Sequence, residues 1–390
     1  MSSTASNSAH HSLVSTPATS LSSSPTNPTI SHLANRAQGQ RQKPKVLFFG
    51  DLSHTKFDER IREIAEVHTL PRVGYQEMVP LIKRKVEEEG EFVAFGGLFL
   101  ITHDFPNKWD AGLLSPLAPA CKLYVGPGAG YDKVDIDWIS SSGAMYANSP
   151  LAVGRRTADG ALALILGAMR GITPQDLSVR AGKWRAPVKT LDWHTATIGI
   201  IGLGSIGTRV ATLLSAIGAS HIIYHSRRPS SSPEARQSSP PWGYCRTLDE
   251  LYEKADVVVL TCPLTSETKG LICKESLGKM KDGVVLVNVA RGPVVKEDDL
   301  VEALESGKVM RAALDVFENE PEVHPGLMKN PNVTLSPHVA PAPDSMGAPM
   351  NGEVVENIIR FLETGMPMTP VNLDQLKEKG FVVGQGKVAS

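Results

Sequence analysis

The sequence feature that most constrains the fold is a glycine-rich run between a strand pattern and a helix pattern. Gly202–Gly207 reads G-x-G-x-x-G. The apolar run Thr197–Ile201 precedes it, and apolar residues at helical spacing follow it over Ser205–Ile217. In such a unit, the first glycine permits a tight turn, the second lets a pyrophosphate approach the backbone, and the third allows the helix to pack closely.

This run predicts a dinucleotide-binding turn, because the helix N-terminus also offers free N–H groups and the positive end of its dipole to a phosphate. The predicted contacts are Gly202, Gly204, Ser205, Ile206 and Gly207. The simpler alternative is a tight turn without a ligand.

Strand patterns alternate with helix patterns along most of the chain, which predicts parallel sheets covered by helices on both faces. The block that holds the glycine-rich run has six predicted strands: Thr197–Ile201, His221–His225, Val257–Thr261, Val284–Val289, Ala312–Val316 and Val333–Leu335. Its predicted helices are Ser205–Ile217, Thr247–Lys254 and Glu297–Glu305. An earlier block has predicted strands at Val46–Phe49, Phe92–Phe95, Lys122–Val125 and Ala144–Ala147, and a helix at Glu77–Glu89. The expected fold class is α/β, with two Rossmann-like or flavodoxin-like domains on doubly wound parallel sheets.

The predicted domain boundaries make the first domain discontinuous. An amphipathic pattern at Met350–Leu362 is expected to return the chain to the first block. Residues 45–150 and 339–373 are therefore predicted to form a substrate-binding domain, and residues 151–338 a dinucleotide-binding domain.

Three segments receive specific predictions. Thr157–Met169 is apolar nearly all round, which predicts a fully buried helix that passes between the domains. The Ser- and Pro-rich stretch Arg227–Trp242 is predicted to be a surface loop. Residues 374–390 are predicted to be a C-terminal tail, of which Phe381–Ser390 is expected to be a loose terminus.

The first 44 residues differ in composition from the rest of the chain. Ser and Thr make up about half of Met1–Ser31, and no Asp or Glu occurs before Asp51. This segment buries too little apolar area to offset the entropy of ordering it, so residues 1–44 are predicted to be a disordered tail of a cytoplasmic protein. A mitochondrial transit peptide is the alternative, since such peptides are also Ser-rich and poor in acidic residues.

Charge and cysteine content argue against several classes of protein. Lys and Arg total 40 against 41 Asp and Glu, so the chain has no excess of positive charge with which to bind nucleic acid or an anionic membrane. The 4 cysteines form no C-x-x-C pair, which argues against a zinc ribbon or a disulfide framework. We expect neither a metal site nor a nucleic-acid or membrane partner.

The residue at the end of the second strand of this block bears on the choice of dinucleotide. Dinucleotide-binding folds that prefer NAD place an acidic residue about 20 positions after the glycines, where it binds the ribose 2′-OH. Here Ser226 occupies that place, and Arg227 and Arg228 follow it. A hydroxyl beside a guanidinium favours NADP(H), with NAD(H) as the other possibility if the arginines are only a solvated pair.

Polar residues follow three later apolar strands, at the edge where a parallel sheet binds its ligand. Arg291, Asp315, Glu320 and His338 are therefore expected to converge near the nicotinamide. Taken singly, each has a structural explanation as a cap of a strand or loop, or as an interface histidine.

In this order behind the glycine-rich run, the motifs resemble the D-isomer-specific 2-hydroxyacid dehydrogenase family, and within it glyoxylate/hydroxypyruvate reductases most closely. The resemblance covers roughly residues 45–373. Its motifs are Gly126–Asp132, Thr157–Asp159, Pro263–Thr268, Asn288–Gly292, Leu314–Pro321 and Ser336–His338.

The resemblance implies a catalytic role for three residues. Arg291 would bind the carboxylate of a small 2-oxo acid and polarise its carbonyl group through a planar set of donors. His338 would act as general acid in reduction and general base in oxidation, and would contact substrate and cofactor. Glu320 would orient the imidazole and favour its charged form.

The resemblance also implies binding roles and a homodimer. The backbone N–H groups of Ala129 and Gly130 would receive the substrate carboxylate, and Asp315 would hold the nicotinamide carboxamide. Cys262 and Pro263 would line the adenine side, with no redox role for the thiol. The other implied cofactor contacts are Thr157, Thr268, Val289, Ala290 and Arg291.

Two departures leave the substrate open. The residues after the histidine are Val339-Ala340-Pro341 rather than small Gly-containing ones, and a bulky Phe99 follows Gly96–Leu98 where the first domain should face the substrate. Formate-type dehydrogenases are an alternative within the superfamily, although they carry Gln in place of Glu320. A nucleotide-sensing corepressor, which keeps the same fold and triad, and a non-catalytic binding module are the alternatives outside enzymology.

Overall fold

The computed structural model describes residues 42–52, 57–98, 108–185, 187–341 and 347–382. The predictions for residues 1–41, Phe99 and residues 383–390 lie outside these ranges. Within the described part of the chain, two separate parallel sheets are each packed between helices. The α/β fold on doubly wound parallel sheets is therefore confirmed.

The first sheet has five parallel strands in the order β2-β1-β3-β4-β5. The elements of this part are β1 Lys45–Phe49, α1 Asp58–Ile64, β2 Glu66–Leu70, α2 Tyr75–Glu89, β3 Ala94–Gly97, α3 Ala111–Leu114, β4 Leu123–Val125, α4 Ile136–Ser141 and β5 Met145–Ala147. Two further helices, α5 Pro150–Arg170 and α6 Ile172–Arg180, lead towards the second sheet. No helix among the described residues is both long enough and apolar enough to cross a membrane.

The second sheet has seven parallel strands in the order β12-β11-β10-β9-β6-β7-β8. Its elements are β6 Thr197–Ile201, α7 Ser205–Ala216, β7 His221–His225, α8 Pro233–Gln237, β8 Gly243–Tyr244, α9 Leu248–Lys254, β9 Val257–Leu260, α10 Lys274–Lys279, β10 Val284–Asn288, α11 Glu297–Glu305, β11 Val309–Leu314, α12 Pro325–Lys329 and β12 Val333–Leu335. The strand order reverses between β6 and β9. In open parallel sheets, ligands bind at this reversal, beside the carboxyl ends of the strands.

The last two helices pack against the first sheet. Helix α13, Gly347–Thr364, buries Val354, Val355 and Ile358 in the same apolar cluster as Val46 and Phe48 of β1. Helix α14, Leu373–Glu378, buries Leu376 in that cluster. The prediction that residues from 374 onward form a tail is therefore wrong for α14, which packs on the first sheet. The helix is too short to show periodicity, and its place depends on contacts with residues far away in the chain.

The prediction that Thr157–Met169 is fully buried is also wrong. This segment lies within α5, whose buried face carries Ala158, Ala161 and Ile165 against α7. Asp159 and Ala163 are exposed on the opposite face. Alanine and glycine are apolar but small, so an apolar composition did not require burial on every side.

Several short elements were not predicted: strands β2 and β8 and helices α1, α3, α4, α6, α8, α10, α12 and α14. The edge strand β2 contains Glu66, His68 and Thr69, so its composition shows no strand alternation, and it exists by pairing in parallel with β1. Helix α8 lies inside the predicted surface loop Arg227–Trp242, with the Ser232 hydroxyl accepting a hydrogen bond from the Ala235 N–H as its N-cap.

Candidate active site

The glycine-rich turn has the close approaches that the sequence pattern requires. Gly202 has φ +97°, and a Cβ there would lie 2.8 Å from the Cys262 backbone. A Cβ on Gly207 would lie 2.1 Å from the Gly202 carbonyl oxygen. Gly204 is the N-cap of α7, and no side chain caps that helix end. The turn thus leaves the backbone and the helix N-terminus free for a phosphate, which fits a dinucleotide.

The residues predicted to select between NAD(H) and NADP(H) follow the strand β7, whose last residue, His225, accepts a hydrogen bond from the Gly202 N–H of this turn. Ser226 follows β7 and donates a hydrogen bond to the Arg228 carbonyl oxygen at 2.6 Å. The side chains of Arg227 and Arg228 are exposed, and among the described residues neither forms an ion pair. An exposed guanidinium next to Ser226 is therefore available to an anionic group.

Cys262 and Pro263 follow β9, across the strand-order reversal from the glycine turn. Burial raises the pKa of the Cys262 thiol to about 11, which keeps it protonated and unreactive. The Thr268 hydroxyl donates to the Pro263 carbonyl oxygen at 2.6 Å and accepts from the Thr265 N–H at 2.8 Å. Thr268 thus shapes the loop behind these residues.

Thr157 lies on α5 and is buried. Its hydroxyl donates to the Val153 carbonyl oxygen at 2.9 Å, within its own helix. One turn earlier, a Cβ on Gly154 would lie 3.7 Å from the Ser205 hydroxyl at the start of α7. Thr157 thus lies on the helix that packs beside the glycine-rich turn.

Arg291 is held by the local structure that follows β10. The Asn288 side chain accepts from the Ala290 N–H and donates to the Arg291 carbonyl oxygen, both at 3.0 Å, so it fixes Val289, Ala290 and Arg291 in a tight turn. A Cβ on Gly292 would lie 1.8 Å from the Phe317 carbonyl oxygen. Only glycine fits there, and this close contact directs the chain so that Arg291 leaves the sheet edge.

The first domain's loop Gly126–Asp132 meets Arg291. A Cβ on Gly130 would lie 1.3 Å from Nη2 of Arg291, so the guanidinium lies directly against the Gly130 backbone. The Asn148 side chain donates to the Ala129 carbonyl oxygen at 2.7 Å and supports the loop from behind. The structure therefore brings Gly130 against Arg291, with Ala129 next to it in the same loop.

His338 and Glu320 form a hydrogen-bonded pair, with 3.0 Å between Nδ1 of His338 and Oε2 of Glu320. The other carboxylate oxygen, Oε1, accepts from the Phe317 N–H at 3.0 Å. Burial raises the pKa of the Glu320 carboxyl, but the hydrogen bond and charge of His338, the Phe317 N–H and the charge of Arg291 together lower that pKa below its usual range. Nδ1 is engaged, so Nε2 is the imidazole nitrogen left for proton transfer.

Asp315 is buried and its carboxylate is occupied by donors from the turn that carries His338. Oδ1 accepts from the Ser336 hydroxyl at 2.5 Å and from the Val339 N–H at 2.9 Å, and Oδ2 accepts from the Ala340 N–H at 2.9 Å. The Asp315 carbonyl oxygen accepts from the His338 N–H at 2.7 Å. In this structure, Asp315 thus supports His338 directly, and a carboxamide could share only the remaining acceptor capacity of Oδ2.

Sequence reasoning gave no role to several residues that contact the site, among them Asn288, described above, Asp132 and Ser336. Asp132 was part of a quoted motif, and its Oδ1 accepts from Nε of Arg291 at 2.8 Å. Ser336 was part of another motif, and it binds Asp315 as described above. The only signal in the sequence was their position next to residues with assigned roles.

Comparison with known proteins gives a family match over the second sheet. A family model described as D-isomer specific 2-hydroxyacid dehydrogenase, NAD binding domain, matches residues 162–340. The chain is 36% identical over 278 residues to a glyoxylate reductase of Thermococcus onnurineus, covering 68% of this chain and 80% of that protein. It is 33% identical over 330 residues to 4-methyl-2-oxopentanoate reductase A of Aspergillus oryzae, covering 84% of this chain and 98% of that protein.

Solved structures resemble the whole two-sheet arrangement. A glyoxylate reductase from Paecilomyes thermophila matches with a TM-score of 0.73 and 34% identity, covering 84% of this chain and 98% of that one. An NADPH-dependent glyoxylate/hydroxypyruvate reductase from Sinorhizobium meliloti, solved with NADP and malonate, matches with a TM-score of 0.69 and 30% identity, covering 85% of this chain and 97% of that one.

Proposed function

Because this chain belongs to the D-isomer specific 2-hydroxyacid dehydrogenase family, as its motifs predicted, we propose that it reduces small 2-oxo acids, glyoxylate and hydroxypyruvate foremost, to 2-hydroxy acids. The observation that carries the proposal is the juxtaposition of an anion-binding arginine with a carboxylate-bound histidine at the carboxyl edge of a dinucleotide-binding sheet.

Each residue has a separate task in this reaction. When bound, the nicotinamide supplies the hydride that reduces C2 of the 2-oxo acid. Arg291 and the N–H groups of Ala129 and Gly130 hold the substrate carboxylate, and Arg291 polarises the carbonyl oxygen. His338 donates a proton from Nε2 to the oxygen that becomes the hydroxyl group. Glu320 stabilises the protonated imidazole before that transfer through its contact with Nδ1.

The proton and the hydride together account for the two electrons and two hydrogens that separate a 2-oxo acid from a 2-hydroxy acid. In the reverse direction, the neutral imidazole accepts the hydroxyl proton. One side chain therefore serves both directions, and the direction follows from the supply of substrates.

The proposed preference for NADPH rests on the exposed arginine beside Ser226. No carboxylate stands at Ser226 to repel a 2′-phosphate, and Arg227 can donate to it. The Sinorhizobium meliloti relative described above is NADPH-dependent, which supports the same choice.

The proposed assembly is a homodimer, built on an exposed apolar surface that we call the arm. The arm comprises α6 and the segment after it, and its exposed apolar side chains are Ile172, Leu177, Val179 and Trp184. Trp184 is 72% exposed, which is unusual for so large an apolar side chain. A second copy of this chain would cover such a surface.

The proposed location is the cytoplasm, and an organellar signal from residues 1–44 fused to a fluorescent protein would contradict it.

The substrate proposal is tested by a panel of 2-oxo acids. Initial rates with glyoxylate, hydroxypyruvate and 4-methyl-2-oxopentanoate should show the highest kcat/KM for one of the first two. Chiral chromatography should show only the D-enantiomer wherever the product is chiral. A higher kcat/KM for the branched acid, or a racemic product, would contradict the proposal.

A further inference from the structure

Residues next to both sheets bind the side chain of Arg291, which itself follows β10 of the second sheet. On its own side, Nη1 donates to the Ala290 carbonyl oxygen at 2.7 Å. From the first domain's loop, Oδ1 of Asp132 accepts from Nε at 2.8 Å. The two side chains are 28% and 20% exposed, so the ion pair is partly shielded from solvent.

These contacts determine which edge of the guanidinium is left for a ligand. A guanidinium has five N–H donors in a rigid plane. Asp132 occupies Nε, the Ala290 carbonyl occupies one donor of Nη1, and the Gly130 backbone lies against Nη2. The plane is therefore fixed, and the remaining donors lie on Nη1 and Nη2, beside the loop that would receive a carboxylate.

We propose that Asp132 is a positioning residue, which fixes the Arg291 guanidinium across the domain boundary so that its Nη donors face the carboxylate of the 2-oxo acid. The proposal rests on the proposed function for the identity of the ligand. It adds a residue that acts on the substrate only through Arg291.

Two opposing effects, one electrostatic and one entropic, decide whether Asp132 helps or hinders substrate binding. Its negative charge offsets part of the attraction between Arg291 and an anion. It also removes the rotamer freedom that Arg291 would otherwise lose on binding substrate. Since the ion pair is only partly shielded from solvent, the repulsion between Asp132 and the substrate carboxylate is weakened by screening, and the ordering effect is larger. Burial raises the pKa of the Asp132 carboxyl, but the charge and hydrogen bond of Arg291 lower it below its usual range, so Asp132 is a carboxylate at neutral pH.

The test compares Asp132→Ala with Asp132→Asn. Asp132→Ala should lower kcat/KM for glyoxylate about 10-fold, mainly by raising KM, because a charge-assisted hydrogen bond is lost. Asp132→Asn keeps an acceptor for Nε and should recover most of that loss. Asp135→Ala is the matched control, since Asp135 lies in the same segment but caps α4 through the Trp138 N–H, and its kcat/KM should stay within about two-fold of wild type.

A second comparison separates the loss of positioning from general damage to the fold. In an Arg291→Gln background, Asp132→Ala should change the residual kcat/KM by less than about two-fold, because no guanidinium remains to be positioned. An equal loss in both backgrounds would overturn the proposal. So would wild-type kinetics in Asp132→Ala.

The third measurement does not depend on turnover. Calorimetry of oxamate, an unreactive 2-oxo acid analogue, with cofactor-saturated protein should show about 10-fold weaker binding to Asp132→Ala. Unchanged or tighter oxamate binding would mean that Asp132 is neutral or competes for Arg291, and would overturn the proposal. Failure of the proposed function has a different signature, which is a wild-type protein that reduces no 2-oxo acid.

Discussion

His338 has φ +57°, a left-handed conformation that costs a non-glycine residue about 1 kcal/mol or more. The residue keeps this conformation because its surroundings hold it there. Its N–H donates to the Asp315 carbonyl oxygen, and its Nδ1 contacts Glu320. At the scale of single residues, Asp315 therefore fixes the backbone of His338, and Glu320 fixes its imidazole ring.

The Glu320–His338 contact predicts the pH dependence of reduction. The pKa of Glu320 lies below its usual range, so the carboxylate is ionised at neutral pH. An ionised neighbour favours the protonated imidazole, which is the form that reduction consumes. Glu320→Gln removes this support, so the fall in kcat/KM on raising the pH should begin at lower pH. A profile superimposable on that of the wild type would contradict the role given to Glu320.

The exposed guanidinium of Arg227 predicts a preference for NADPH over NADH. A charge-assisted interaction with a 2′-phosphate contributes about 1.5–3 kcal/mol, and an exposed arginine falls in the lower part of that range. Wild type should therefore prefer NADPH over NADH in kcat/KM, and Arg227→Ala should lose about 10-fold with NADPH and little with NADH. Arg228→Ala is the matched control and should lose less. Equal use of both cofactors by wild type would show that Arg227 does not bind the phosphate.

At the scale of elements, the turn Ser336–Ala340, which follows β12 of the second sheet, carries His338. Asp315, at the end of β11, accepts hydrogen bonds from Ser336, Val339 and Ala340 of this turn. The turn also lies against α5, because a Cβ on Gly160 would lie 2.4 Å from the Ala340 carbonyl oxygen. The histidine's position thus depends on a strand end, a turn and a helix together.

This arrangement predicts that Ser336→Ala lowers kcat while cofactor binding changes little. The substitution removes one hydrogen bond to Asp315, which lowers the free energy of unfolding by about 1 kcal/mol and loosens the turn. Cofactor affinity, measured by fluorescence titration, should stay within about two-fold of wild type. A large rise in the cofactor Kd with unchanged kcat would instead indicate that this turn serves mainly to hold the nicotinamide.

Apolar runs between turn residues could be predicted from the sequence, and elements that depend on distant partners could not. The strands β6, β7 and β12 were predicted with their observed bounds, because each is a β-branched or apolar run between turn residues. The edge strand β2 and helix α14 were missed, since their stability comes from β1 and from the first domain's core.

The same contrast holds in the site. Arg291, Glu320 and His338 could be selected because polar residues after parallel strands meet at one edge of the sheet. Asp132 could not, because its contact with Arg291 joins positions 159 residues apart, in different sheets. No local pattern carries that information.

At the scale of the whole molecule, the arm leaves apolar side chains exposed that a second copy would cover. Leu177→Glu combined with Trp184→Glu places charges on that surface, so the protein should sediment as a monomer where the wild type sediments as a dimer. Met328→Glu is the matched control, since Met328 is 58% exposed on α12, outside the arm, and should leave the dimer intact. A monomeric wild type would contradict the proposed assembly.

The most direct test of the proposed reaction is the rate of NADPH oxidation with glyoxylate, measured for wild type and His338→Ala at equal cofactor saturation. We predict turnover by the wild type and a kcat roughly 10²–10⁴-fold lower in the variant, because general acid catalysis is lost while the cofactor still binds. Folded wild-type protein that binds NADPH but oxidises it with no 2-oxo acid would contradict the account, and would favour a corepressor or another binding protein on this fold.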